Sequence, residues 1–415
     1  MSQQPFLKSI RPVNLLSFGP NTKEIELRPL NILIGPNGCG KSNLIEVIRL
    51  LHFLPEKEPW TVVLETGGVE EWVWKGEKGK SFRSSLEASI SLGSMPESHA
   101  LGTSPSFDFE YSIQLIELQS SFRVMKEIVR TAPPADGGPS RYSWIESNGM
   151  QGEVHLRDAQ RSDKPVLVAL NPDRSVLSQV SSLPGQMPDI FFPLQELYEI
   201  GQFFDSLDFH QDWEFGVDQS ARDPRPVGQP VARLEEDAYN LAQMLAYYRD
   251  YHPQVYDRVQ ELMKKFYEPL KGLDVRLIGT HLQVAIQEEG GFSIPAYRLS
   301  DGTLRWLALL TILLNPKPAP IICIDEPELG LHPDILPTLA DLLRDASTRT
   351  QLVLTTHSRD LVECFSDAPE SVCVCQKING STAIRRLDAE RLKIWLKDYS
   401  LGQLWASGEI GGNRW

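Results

Sequence analysis

The octapeptide GPNGCGKS, Gly35 to Ser42, constrains this chain more than any other stretch. Gly35, Gly38 and Gly40 let the backbone curl until successive N–H groups point inward, a geometry that cradles phosphate oxygens, and a following helix adds the positive end of its dipole. Such a loop works only between a buried strand and a helix. Both are written beside it: the apolar run Leu30 to Ile34 suits a strand buried on both faces, and from Asn43 the residues Leu44, Ile48 and Leu51 recur at helical spacing, ending near Pro55. In this arrangement Lys41 reaches the β and γ phosphates of a nucleotide and the Ser42 hydroxyl holds Mg2+. Pro36, Asn37, Cys39 and Asn43 complete the phosphate-facing set.

Three later segments carry chemistry of the same kind. Ile321 to Asp325 is an apolar strand that ends in two carboxylates, Asp325 and Glu326, at the sheet edge where ligands bind in parallel folds. Asp325 suits Mg2+, directly or through water, and Glu326 is placed to polarise a water attacking the γ-phosphate. An acid-rich helix start, to which Glu328 also contributes, is the plainer alternative. LSDGT precedes the apolar helix LRWLALLTILL, so Ser300 and Gly302 offer free N–H groups and a second anion site, or a simple N-cap. His357 ends the strand QLVLTTHS, where an imidazole donates to a γ-phosphate or serves the fold alone.

The chain alternates in style along its length. Between about Glu65 and Asp173, clusters of Gly, Ser and Pro separate runs such as SFDFEYSIQLIEL, which predicts antiparallel strands joined by turns. Leu194 to Leu270 is helical in pattern, with a surface loop at Asp218 to Pro230. After Gly291, apolar runs alternate with helices again, as in a parallel sheet with helices on its faces. The expected organisation is one discontinuous α/β nucleotide-binding lobe, residues 1–84 and 275–385, with a β-rich and helical lid lobe inserted at 85–274 and a C-terminal tail at 386–415.

Composition narrows the function classes. With 41 Lys and Arg against 55 Asp and Glu, a net charge of −14 argues against coating nucleic acid through the whole surface. Local basic runs at Lys75 to Arg83, Arg123 to Arg130 and Lys264 to Lys271 leave a DNA groove open, or are solvated faces. Five scattered cysteines show neither disulfide nor zinc spacing. No apolar run approaches the roughly 18 to 20 residues of a membrane span, and Met1 to Ile10 lacks a signal-peptide layout, so a cytoplasmic protein without a membrane partner is expected.

Taken in order, GPNGCGKS, LSDGT, IICIDEP and TTHS resemble the Walker A, signature, Walker B and switch-histidine elements of ABC-type ATPases. The opening LKSIRPVNLLSFGP, the run DEPELGLHP and the tail GEIGGNRW are similar to stand-alone predicted ATPases of the SMC, RecF and OLD-like branch. The resemblance implies an ABC-type P-loop head whose Lys41, Ser42, Asp325 and Glu326 serve nucleotide, magnesium and hydrolysis, with His357 as the switch. It implies that Ser300 and Gly302 contact ATP bound by an opposite subunit, hence an ATP-dependent homodimer or a higher even-numbered oligomer. Gln179 in SVLSQVSS is the best match to the Q-loop glutamine that links Mg2+ to the lid. Asp301 replaces a glycine of the transporter-type signature and is expected to point away, toward Arg305. OLD-type nucleases carry a TOPRIM domain for which the stretch after His357 is too short, so a nuclease or toxin effector is expected from another chain, in DNA repair or anti-phage defence. The rival expectations are the ATPase subunit of a membrane transporter and an ATP-binding clamp or sensor with little turnover. Trp395, Trp405 and Trp415 mark the tail as a fold-back segment or a partner anchor.

Overall fold

A computed structural model describes residues 6–76, 83–91, 108–118, 121–131, 143–149, 151–154, 166–180, 193–211, 215–216, 220–228 and 233–412. The chain forms two compact units, the first comprising Met1–Leu207, Cys373–Leu387 and Ile410–Trp415, the second Asp208–Val372 and Asp388–Glu409.

In the first unit, β1 (Leu7–Val13), β2 (Ile25–Glu26) and β3 (Leu30–Ile34) lead into helix α1 (Lys41–Phe53). They are followed by β4 (Arg83–Ser91), β5 (Asp108–Leu118), β6 (Ser121–Thr131), β7 (Ser143–Ser147), β8 (Gln151–Val154), β9 (Val166–Ala169) and helix α2 (Pro193–Asp205). Eight of these strands make one antiparallel sheet in the order β2-β1-β4-β5-β6-β7-β8-β9, the meander that the turn-rich segment predicts. Strand β5 shows why it holds: Phe109, Tyr111, Ile113 and Leu115 alternate with more exposed residues, so one face of the sheet is apolar. Phe204 of α2 meets that face, its ring edge-on to Tyr111 at 5.4 Å.

The second unit contains β10 (Asp208–His210), β11 (Arg225–Pro226), α3 (Leu241–Tyr251), α4 (Pro253–Phe266), β12 (Leu270–Ile278), β13 (His281–Glu288) and β14 (Ser293–Pro295). Then come α5 (Asp301–Leu313), β15 (Ile321–Asp325), α6 (Leu336–Ala346) and β16 (Gln351–Thr355). Strands β10, β15 and β16 pair in parallel, with Phe209, Cys323 and Val353 in one register row. Every residue of α5 from Thr303 to Leu313 is buried, as an apolar helix without a polar stripe must be. Trp306 of α5 stacks on Phe266 of α4 at 6.0 Å, and the Tyr248 hydroxyl of α3 donates to Thr311 O at 2.7 Å. Strands β11, β13, β12 and β14 form a separate small antiparallel sheet.

The chain then supplies β17 (Val372–Ile378) and β18 (Ser381–Arg386), an antiparallel hairpin whose β17 neighbours β3. The α/β class expected from the sequence stands. Two elements escape the helical reading of Leu194 to Leu270 and its flank. Asp208–His210 is too short for a visible alternation, and the β12–β13 hairpin closes on Gly279 instead of on a strong two-residue turn pair. The tail folds back as well: helix α8 (Leu401–Ala406) lies on α7 (Arg359–Glu363), with Trp405 buried, Trp395 47% exposed and Trp415 outside the described residues.

A carboxylate sits inside the first unit. Glu127 of β6 is wholly buried and accepts from the Tyr111 hydroxyl at 2.9 Å, the Ser175 hydroxyl at 2.7 Å and Val176 N at 2.8 Å. Burial pushes its carboxyl above the usual range, and the three donors offset part of that cost. Glu127→Ala leaves those donors without an acceptor, so urea denaturation should show a loss of about 3 kcal/mol. A change within about 0.5 kcal/mol contradicts this account.

Candidate active site

Each unit carries part of the residue set that the sequence singles out. In the first, all of β3 is buried, and the chain leaves it through Gly35 at φ 154°, Gly38 at 74° and Gly40 at 100° before entering α1. Packing demands glycine at the first of these as much as conformation does. A Cβ on Gly35 would lie 2.4 Å from Cys375 O and 2.9 Å from Cys39 Sγ. The loop is propped from β18, where the Thr382 hydroxyl donates to Cys39 O at 2.7 Å and lies 2.6 Å from the Ser17 hydroxyl. Lys41 is buried and bends over its own loop, donating from Nζ to Gly35 O at 3.0 Å and Pro36 O at 3.4 Å.

The loop thiol has an altered acidity. A hydrogen bond from Cys375, with the charge of Lys41 adding to it, lowers the Cys39 pKa to about 6 against the opposing effect of burial. The same contact and burial push Cys375 well above the ordinary thiol range.

In the second unit the ends of β15 and β16 are laced together. Thr355 donates its hydroxyl to Asp325, and Glu326 N donates to Thr355 O and to Thr355 Oγ1, both at 3.2 Å. Glu326 adopts φ 46°, a left-handed conformation that a glutamate pays for and that recurs at functional sites. It brings Glu326 Oε1 to 3.6 Å from His357 Nε2, with both side chains about one third exposed. Glu328, half-buried, accepts on one carboxylate oxygen from Thr356 Oγ1 at 2.6 Å, His357 N at 3.1 Å and Ser358 N at 3.2 Å. Burial is the main influence on its pKa and raises it.

Ser300 caps α5, its Oγ accepting from Thr303 N at 3.1 Å. A Cβ on Gly302 would stand 2.6 Å from Gly330 O, so glycine permits the loop after the carboxylates to touch the start of α5. Asp301 is turned toward solvent as expected, but its partner is Arg222 and not Arg305. Arg305 reaches Leu329 O at 2.7 Å instead. Arg222 lies in the segment the sequence suggests is a surface loop, yet it is 4% exposed. It donates to Phe215 O at 2.7 Å, Gly216 O at 2.9 Å, Ala296 O at 3.2 Å and Leu299 O at 2.7 Å, besides Asp301. No periodicity singles out Arg222, and Glu328 is visible only as a third acid in DEPELGLHP.

Gln179 is engaged in local hydrogen bonds. Its oxygen accepts from Asn171 N at 2.8 Å and its amide donates to Asn171 O at 3.1 Å and to Arg174 O and Ser175 O at 3.3 Å, so both ends of the amide serve a local turn. The Ser42 hydroxyl, in the first unit, and the Asp325 carboxylate, in the second, are each hard oxygen donors of the kind that suits Mg2+. The basic run Arg123 to Arg130 is internally matched: Arg123 pairs with Asp173, Lys126 with Glu146 and Arg130 with Glu110, at 2.6 to 2.8 Å. Residues 77–82 of the Lys75 to Arg83 run lie outside the described residues.

The family model described as "AAA domain, putative AbiEii toxin, Type IV TA system" matches residues 30–130 and 201–363, more than half of the chain. The chain belongs to this family. Its fold is that of SMC heads: it resembles the crystal structure of an Smc head bound to the C-terminal winged-helix domain of ScpA, with a TM-score of 0.53 and 13% identity over 93% of this chain and 99% of that one. It also resembles a Pyrococcus furiosus Smc head with an extended coiled coil bound to the C-terminal domain of ScpA, with a TM-score of 0.51, 13% identity and 95% and 99% coverage. A curated relative, ABC transporter A family member 3 of Arabidopsis thaliana, is 32% identical over 112 residues, which is 25% of this chain and only 11% of that protein's length. Motifs, family and fold agree on an ABC/SMC-type P-loop ATPase. Among the described residues no helix is long and apolar enough to cross a membrane.

Arg222→Ala would strip four carbonyls and Asp301 of a buried cation. The expected result is a loss of about 3 kcal/mol in urea unfolding, with Arg222→Lys intermediate because an ammonium cannot span that fork. Equal stability of wild type and Arg222→Ala would refute the bracing role.

Proposed function

We propose that this ATPase hydrolyses ATP in the cytoplasm as a head-to-tail dimer, and that closure and reopening of the dimer drive a DNA-related transaction, in repair or anti-phage defence, with a separate nuclease or toxin as effector. The observation that carries the hydrolytic part is Glu326, held left-handed with its carboxylate 3.6 Å from His357 Nε2 at the end of a parallel strand. A base and a hydrogen-bond donor held this close, and both partly open to solvent, suit the alignment of a water against a phosphoryl group.

The roles follow from the groups. The loop N–H groups and Lys41 bind the triphosphate, and Ser42 and Asp325 are the residues that would hold Mg2+, which would offset phosphate charge. Glu326 orients the water and takes its proton. His357 donates toward the γ-phosphate, so its contact is lost on hydrolysis. The tip at Ser300 and Gly302 serves the nucleotide of the second copy, which makes closure conditional on triphosphate. The insertion at 85–274 then acts as the lid that passes closure on. Support for a nucleic-acid role comes from the SMC-type fold, while the internal pairing of Arg123, Lys126 and Arg130 argues for recognition elsewhere than on that strand. The 112-residue match to a transporter protein favours a second reading, a transporter's ATPase subunit, which co-purification with a membrane protein would support.

Glu326→Gln is expected to retain ATP binding, lose at least about tenfold in kcat and accumulate as an ATP-bound dimer in gel filtration, since the loop survives and the base is gone. Monomer alone under ATP counts against the dimer, and wild-type turnover equal to that of Lys41→Ala makes the protein a clamp or sensor. Ser300→Arg should likewise stop hydrolysis while leaving binding intact. Mixing it with Lys41→Ala should restore activity through one composite site, and failure to recover any removes the case for sharing between copies.

A further inference from the structure

We propose that Glu328 is a positioning residue for this reaction: its carboxylate clamps the segment Thr356–Ser358 and so fixes His357 beside Glu326. The inference rests on the hydrolytic reading above. One oxygen of Glu328 receives three donors, the Thr356 hydroxyl and the N–H groups of His357 and Ser358, at 2.6 to 3.2 Å. These donors belong to the residues that hold the switch histidine from both sides. The loop that carries Glu328 is itself anchored, because Leu329 N donates to Glu326 O at 3.1 Å and Leu329 O accepts from Arg305 of α5 at 2.7 Å. The clamp therefore joins the loop after Glu326 to the segment after Thr355, beside the 3.6 Å approach of Glu326 to His357.

Stability alone does not call for this arrangement. The second oxygen of Glu328 is buried with no hydrogen-bond partner among the described residues, an expense that a neutral acceptor seating the same donors would spare the fold. Burial raises the pKa of Glu328, the donors from Thr356 and His357 lower it, and Glu326 raises it further. The facing cation is Arg305, whose pKa burial lowers, with Glu328 and Glu326 offsetting only part of that effect. What the fold obtains in return is a histidine placed to within a hydrogen bond's tolerance, the range in which misplacement is costly for catalysis.

The test compares Glu328→Ala with Glu328→Gln, which keeps the accepting oxygen. Glu328→Ala should lower kcat by about tenfold or more with KM for ATP within about threefold of wild type, and Glu328→Gln should stay within about threefold in both. Adding Glu328→Ala to His357→Ala should cost little more than His357→Ala alone, since the clamp acts through that residue. Amide hydrogen exchange read by mass spectrometry should rise at residues 356–358 in Glu328→Ala and remain unchanged in Glu328→Gln and in peptides from α5. Unchanged exchange with unchanged kcat, full additivity with His357→Ala, or Glu328→Gln as damaged as Glu328→Ala each overturns the proposal. A wild type without turnover would sink the hydrolytic reading and with it the catalytic purpose, while exchange at 356–358 would still report whether the clamp exists.

Discussion

The second unit depends on how two parallel strands end. Where β15 and β16 finish, Asp325, Glu326, Thr355, Thr356 and His357 are delivered within a few ångströms of one another, and carboxylates so placed repel unless neighbours hold them. The structure meets that constraint with hydrogen bonds between the strand ends. Thr355 ties Asp325 and Glu326, and Glu328 ties the residues around His357. The parallel register that brings Asp325 opposite Thr355 is what makes this lacing available, so the burial of β15 and β16 is the condition for the polar geometry at their ends.

The same logic governs the phosphate loop in the first unit. Its curl is set by glycines, but its rigidity comes from outside the motif. Thr382 holds Cys39 O, and Cys375 fills the space that a side chain on Gly35 would need. A loop meant to receive an anion must leave N–H groups for it, and this one is held largely through its carbonyls and its outer face. Lys41, donating to Gly35 O and Pro36 O, contributes to that holding from within.

What could be read from the sequence follows from the range of the interactions involved. The loop, the strand before it and the helix after it are local, and GPNGCGKS with its flanks contains nearly all of their information. The buried helix α5 and the strand Ile321–Asp325 are continuous apolar runs and were equally legible. The bracing residues were not. Arg222 and Glu328 look like ordinary surface charges until folding carries them to their partners, 79 positions away for Arg222 and Asp301 and 28 for Glu328 and Thr356. Gln179, which resemblance alone singled out, makes short-range hydrogen bonds to Asn171 and Ser175 that its polar sequence context did not announce. Asp208–His210 fell between these cases, since a three-residue strand acquires its identity from pairing with β15.

The interleaving of the two units has a consequence for biogenesis. The chain leaves the first unit after Leu207 and comes back to it only at Cys373, so the hydroxyl that props the phosphate loop is encoded 343 residues after the carbonyl it supports. During synthesis from the amino terminus the loop therefore emerges long before its support. Contacts of such sequence separation form late and slowly. A nascent chain would display the glycine motif in full while still lacking the stiffened backbone around it, so a loop able to hold its shape waits for the segment that carries Thr382.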